Sequence, residues 1–102
     1  MDDREKLERA DEIMRAIGRV LLREWDPIGI RDLPQCQSEY DRYIGGVYRL
    51  LVTGARPADM AQHLQSIQVE EMGLSTGQEE KLAAVAKRLC AINVRLAGAG
   101  QR

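Results

Sequence analysis

Apolar positions recur at helical spacing from the start of the chain. Leu7, Ala10, Ile13, Ile17, Val20 and Leu21 are separated mainly by threes and fours, which places them on one helical face and predicts a helix over about Asp3 to Glu24. Asp2, Asp3, Glu5 and Glu8 crowd its beginning, and Arg19 and Arg23 lie near its end; both biases complement the helix dipole. Glu5–Arg9 and Asp11–Arg15 are i,i+4 pairs with the acid first, the favourable order.

The pattern breaks at Trp25-Asp26-Pro27-Ile28-Gly29-Ile30. Pro27 turns Asp26 away from helical angles, Asp26 is a good cap, and Pro27 suits the first position of a turn. Gly29 accepts positive φ. The stretch to Pro34 is therefore expected to be an ordered connection, with Ile28 and Ile30 plugging the end of a bundle.

A second helical region is expected from near Pro34, through Tyr40, to about Leu51. Tyr40, Ile44, Val47 and Leu51 share its face, and Tyr43, Tyr48 and Leu50 flank it. Gly45-Gly46 falls in its middle. Each glycine costs about 1 kcal/mol relative to Ala inside a helix, so a kink or a break is expected there. Gly54 ends the region.

Pro57 opens a third helix that runs to about Met72, burying Met60, Ala61, Leu64 and Ile67, with Gly73 closing it. Ser75 or Thr76 caps the last helix; Ser75 with Gln78, and Thr76 with Glu79, are overlapping capping boxes. Its core stripe is Leu82, Val85, Ala86, Leu89, Ile92 and Leu96, and Gly98 and Gly100 mark a frayed tail. No segment alternates with the period of a strand. The expected fold is all-α: a compact antiparallel bundle of four main helices, five if Gly45-Gly46 breaks the second, in a single domain over residues 1–102.

Composition narrows the function more than it names it. The chain has 15 Lys+Arg against 16 Asp+Glu, a formal net charge of -1. That balance argues against a protein built on phosphate contacts, and no nucleic-acid partner is expected. The opening Met1-Asp2-Asp3-Arg4-Glu5 is unlike a signal peptide, and no apolar run approaches the ~18–20 residues that span a bilayer. A cytoplasmic location without a membrane partner is expected. Cys36 and Cys90 show no CxxC or Cys/His pairing and read as reduced thiols, at least one of them in the core.

Catalytic chemistry has little to use. His63 is the single histidine, one position before the core residue Leu64, and reads as a surface or boundary residue. There is no phosphate-cradling glycine loop and no GxSxG elbow. Glu24, Asp26, Asp32, Glu39 and Asp41 form a carboxylate-rich stretch able in principle to offer oxygen ligands to a divalent ion. The Glu-x-x-His motifs of di-metal bundles are missing, and neither a metal nor a cofactor is expected. Arg15, Arg19 and Arg23 form a basic stripe, read either as a solvated face or as a contact for an anionic partner.

The aromatics are more telling. The chain has no Phe, and Trp25, Tyr40, Tyr43 and Tyr48 all lie within a short span interleaved with acids. Each carries a polar atom that needs a partner when buried, and such residues also serve as binding anchors. Trp25 and Tyr40 are read chiefly as stitching the connection to the bundle, and Tyr43 as partly exposed.

These same residues carry a resemblance. Glu24-Trp25-Asp26-Pro27-Ile28-Gly29-Ile30, Glu39-Tyr40-Asp41-x-Tyr43, Val47-Tyr48-Arg49-Leu50-Leu51 with Gly54-Ala55, and Met60-Ala61-x-His63-Leu64-x-x-Ile67 before Met72-Gly73-Leu74 resemble the YugE-like family of small bacterial proteins. The similarity covers about residues 7–97 and is most specific at Trp-Asp-Pro. It implies a small helical bundle and brings no activity, so no catalytic residue transfers.

The leading expectation is a non-enzymatic interaction module, one form of which is an immunity-type protein that blocks a toxin by covering its surface. A small-ligand or divalent-metal enzyme using the carboxylate and tyrosine cluster is the second reading. A homodimer pairing through an exposed face is the third. The expected partner surface is Asp26, Asp32, Glu39, Asp41 and Tyr43. From Glu24 to Tyr43 there are five acids against Arg31 and Arg42, a local charge of -3 that favours a basic protein partner.

Overall fold

The structure is a computed structural model that describes residues 3–75 and 77–96. α1 spans Asp3–Val20 and runs on into one π turn, Leu21–Trp25, where the Asp26 N–H reaches back five residues to the Leu21 carbonyl at 2.9 Å. Two short 3-10 turns follow, Pro34–Cys36 and Asp41–Tyr43. α2 is Ile44–Val52 and α3 is Pro57–Ser66. α3 also ends in a π turn, Ile67–Glu71, and α4 is Glu79–Cys90. The described residues contain four helices and no strand, so the molecule is an all-α bundle. α3 and α4 share the largest contact, and α1 packs on both α2 and α4.

One core joins these elements. α1 and its π turn contribute Ile13, Ile17, Leu21 and Trp25, α2 contributes Val47, and α3 with its π turn contributes Met60, Leu64 and Ile67. α4 adds Leu82, Val85, Ala86 and Leu89, and the irregular connection adds Ile30 and Tyr40. The three-four spacing of the helical members buries one face of each helix.

Several expectations are corrected. Leu7 continues the apolar spacing of α1 but is 71% exposed. The N-terminal part of α1 is tied down by a polar side chain instead: Arg9 donates to the Asn93 carbonyl at 2.7 Å and the Arg95 carbonyl at 3.1 Å, and pairs with Glu12 at 3.3 Å. Asp11–Arg15 forms as expected, at 2.8 Å. Ile30 is buried, whereas Ile28 is 46% exposed, so one of the two expected plugs points out.

The second helix is much shorter than its apolar pattern suggests. Between Leu33 and Tyr43 successive three-residue bonds, such as Cys36 N–H to Leu33 and Tyr43 N–H to Tyr40, keep the chain in tight turns. The Gln37 amide, donating to the Arg31 and Leu33 carbonyls, holds it there. Gly45-Gly46 therefore lies in the first turn of α2, and the helix runs across the pair without a break. Its second glycine allows close approach: a Cβ on Gly46 would stand 3.3 Å from His63 Nε2.

α4 starts at Glu79, with Gln78 at its cap and no side-chain capping bond, so Ser75 is not the cap. Gly77, at φ 117, holds the chain out of the helical region just before it. Ile92 and Leu96 pack on the core from beyond the end of α4 and not from within it. Both thiols are free and half-buried, so neither sits in the core proper. The expectations for Asp2, Thr76, Gly98 and Gly100 lie outside the described residues.

Candidate functional site

The five carboxylates that crowd the sequence around the first connection take different roles. Glu24 pairs with Arg88 of α4 at 2.8 Å. Asp26 turns inward. It is the one non-glycine residue at positive φ (33°) among those described, and its carboxylate organises the turn that follows. Oδ1 accepts the Ile30 N–H at 2.8 Å and the Tyr40 hydroxyl at 2.8 Å, and Oδ2 accepts the Arg31 N–H at 3.3 Å. The Tyr40 oxygen in turn accepts the Ile28 N–H at 3.1 Å.

Charge follows from this geometry. Burial alone would push the Asp26 carboxyl up, but the bonds from Ile30, Tyr40 and Arg31 and the Arg31 charge outweigh it and hold it below its ordinary value of 3.8. Burial pushes the Tyr40 phenol well up; the Ile28 N–H opposes this, and the Asp26 and Glu39 charges add to it. Tyr40 therefore stays a donor to an ionised Asp26.

Trp25 is fully buried, and its indole N–H donates to Gln68 Oε1 at 2.7 Å. Each partner sits in a π turn, so this bond ties the end of α1 to the end of α3. Gln68 is a buried polar residue that the sequence reading missed. The signal that could have found it is spacing: Gln68 lies four residues after Leu64 and seven after Ala61, on the helical face assigned to the core. The Tyr40 and Tyr43 rings pack on Trp25 with centroids 5.5 and 5.9 Å away, Tyr43 edge-on at 85°. Trp25 and Tyr40 are thus core residues, and Tyr43 is half-buried above them.

The expected partner surface divides accordingly. Glu39 and Tyr43 line one shallow depression of about 260 Å³ with Ile28, Arg42, Glu71 and Met72. Asp41 lines a separate depression with Asp11, Met14, Arg15 and Arg19 on α1. Asp32 is exposed within the connection, as is Leu33 at 42%. Glu71, absent from the expected set, joins it because α3 brings its end beside the connection. Among the described residues no three His, Cys, Asp or Glu side chains gather where a metal ion would fit.

The basic stripe is partly neutralised. Arg15 is paired with Asp11, while Arg19 and Arg23 line a depression of about 430 Å³ that also includes the paired Glu24 and Arg88. His63 is half-buried between α2 and α3; burial lowers its pKa, and the Glu71 charge works against that shift. Burial, with a smaller contribution from Asp59, raises the Cys90 thiol. That is the opposite of what an activated nucleophile needs.

Among the described residues no helix is long and apolar enough to cross a membrane, and no buried side-chain nitrogen or oxygen lacks a hydrogen-bond partner. Compared with family models, with curated proteins and with solved structures, the chain finds no match.

Proposed function

We propose that this protein is a non-enzymatic interaction module that binds a basic protein partner through the connection end of the bundle. The observation that carries this reading is Ile28. It is 46% exposed and shares a depression with Tyr43, Glu39 and Glu71. An apolar anchor with an aromatic beside it and carboxylates around it suits a partner segment that combines an apolar and a cationic side chain. Glu39 and Glu71 make no ion pair among the described residues, so their charge is free to steer such a segment. Asp32 is exposed in the same connection and adds to its negative charge, Asp41 belongs to the depression on α1, and Asp26 acts indirectly by holding the turn that presents Ile28.

An inhibitor of the immunity type, cytoplasmic and bacterial, is the form of this module we favour. It needs surface complementarity and no reactive group, which suits a site whose titratable residues are either exposed or locked in structural bonds. Kinship with the YugE-like family is part of the same proposal and adds no chemistry to it.

The test is affinity capture from native lysate with the wild-type chain and with Glu39→Lys/Glu71→Lys, read by mass spectrometry and then by association kinetics. The reading expects a captured basic protein whose association slows severalfold in the variant and in added salt. Equal capture and equal rates by both chains would overturn it.

A further inference from the structure

We propose that α1 carries a second, separate interface, and that its occupant is another copy of this chain. This goes beyond the partner reading above and uses a different face. Leu7 and Met14 are seven residues apart, so they stand within about 20° of each other on the helix. They are 71% and 38% exposed. The same face continues to Gly18, and there it is covered: a Cβ on Gly18 would lie 3.1 Å from Ile44 Cδ1. α2 thus closes the stripe at Gly18 and leaves the Leu7–Met14 half bare.

Charge decides the occupant. Where the bare stripe meets the start of α2 there is a depression of about 420 Å³, lined by Met14 and Ile44 and by Asp11, Asp41, Arg15 and Arg19. Two acids and two bases cancel. An isologous interface sets a patch against its own copy, so a patch of one sign repels itself and a patch of both signs complements itself. The connection face, with Glu39, Glu71 and only Arg42 in its depression, lacks this property. Arg19 and Asp41 have no ion-pair partner among the described residues, and each is available to the opposite charge across a two-fold axis. A stable dimer draws about 800 Å² from each partner, so the contact extends from α1 onto the shelf formed by residues 41–44.

Sedimentation from low micromolar to submillimolar concentration tests this. Wild type is expected to form a dimer, and Met14→Glu to raise its dissociation constant about tenfold or more. Leu7→Glu, at a position too exposed to matter for folding, should weaken it in the same direction, and circular dichroism checks that each variant keeps its helices. Arg15→Glu/Arg19→Glu and Asp11→Lys/Asp41→Lys should each be monomeric alone and should pair when mixed. A wild-type chain that stays monomeric throughout would overturn the proposal. So would dimers unaffected by Met14→Glu and Leu7→Glu, or charge variants that associate no better mixed than alone.

Discussion

Between α2 and α3 the chain turns within residues 53–56, and backbone bonds hold the corner. The Gly54 N–H returns to Leu51 at 3.2 Å and the Ala55 N–H to Leu50 at 3.0 Å, the paired bonds of a Schellman ending, with Gly54 at φ 83. Arg56 N–H then donates to the Asp59 carboxylate at 3.1 Å, and Pro57 opens α3. Between α1 and α2 the chain needs residues 26–43, and there the backbone does not suffice. Asp26, Tyr40, Gln37 and the Trp25–Gln68 bond supply partners for groups that no regular element satisfies. A short corner closes on local geometry; a long one depends on side chains that reach across the fold. That dependence makes the long corner the place where an exposed Ile28 can be held rigidly.

The difference can be broken most strongly at Trp25. Trp25→Ala should destabilise the fold by about 3–5 kcal/mol in urea unfolding followed by circular dichroism, because it empties the point where both π turns and two tyrosines meet. A loss under about 1 kcal/mol, the scale of an ordinary surface change, would mean the long corner holds without its anchor.

Asp26→Ala should come next, at about 2–3 kcal/mol, because it strands the Tyr40 hydroxyl and places a Cβ-bearing residue without a local hydrogen bond at positive φ. Asp26→Asn, which tolerates that conformation and keeps one acceptor oxygen, should lose about half as much. Equal losses would assign the effect to charge and not to the turn.

At the short corner, Gly54→Ala should cost about 1–2 kcal/mol through φ alone. Gly45→Ala, with nothing within 4 Å of the new methyl and a helical backbone, should instead stabilise by about 0.5–1 kcal/mol. Thermal unfolding of the two variants reads opposite signs if both assignments hold.

The smallest effect is on pH dependence. Asp26 has a lowered folded pKa, so its contribution is complete above 3.8 and is lost as pH falls through the folded value. His63 is also lowered, so the folded state favours its neutral form; that contribution is complete above 6.5 and is lost as pH falls below it. Stability should therefore decline in two shallow steps on acidification. His63→Gln should remove the upper step and Asp26→Asn the lower, measured by urea midpoints across pH. A profile unchanged by either substitution would mean that neither group is linked to folding.

Much of the fold was legible because helix periodicity and chain punctuation are local. Pro57, Gly54 and Gly73 mark their boundaries with backbone restrictions that neighbours do not alter. Ile13, Ile17, Leu64 and Leu89 occupy the faces their spacing assigns. The failures share a cause. Leu7 fits the periodicity of α1, but no helix among the described residues covers it. The apolar spacing from Tyr40 to Leu51 suits one helix, but Tyr40 is drawn to Asp26, and the segment before Ile44 satisfies its backbone in 3-10 turns.

The candidate site was legible only as a region. Glu39 and Tyr43 stand together as expected, while Asp41 belongs to another depression and Asp26 faces inward. Glu71 enters from a helix far along the chain, and no spacing rule links it to Glu39.

The amino-acid sequence by itself determined that this chain is helical, where most of its helices stop, and which face of each is apolar, because those properties follow from side-chain period and allowed backbone angles. The tertiary structure alone decided that Gln68 is buried under Trp25, that Ile28 points outward while Ile30 points in, and that one apolar stripe on α1 is covered at Gly18 and bare at Leu7. Each of these depends on which element arrives opposite a residue, and that is settled by the packing of distant segments and not by their local preferences.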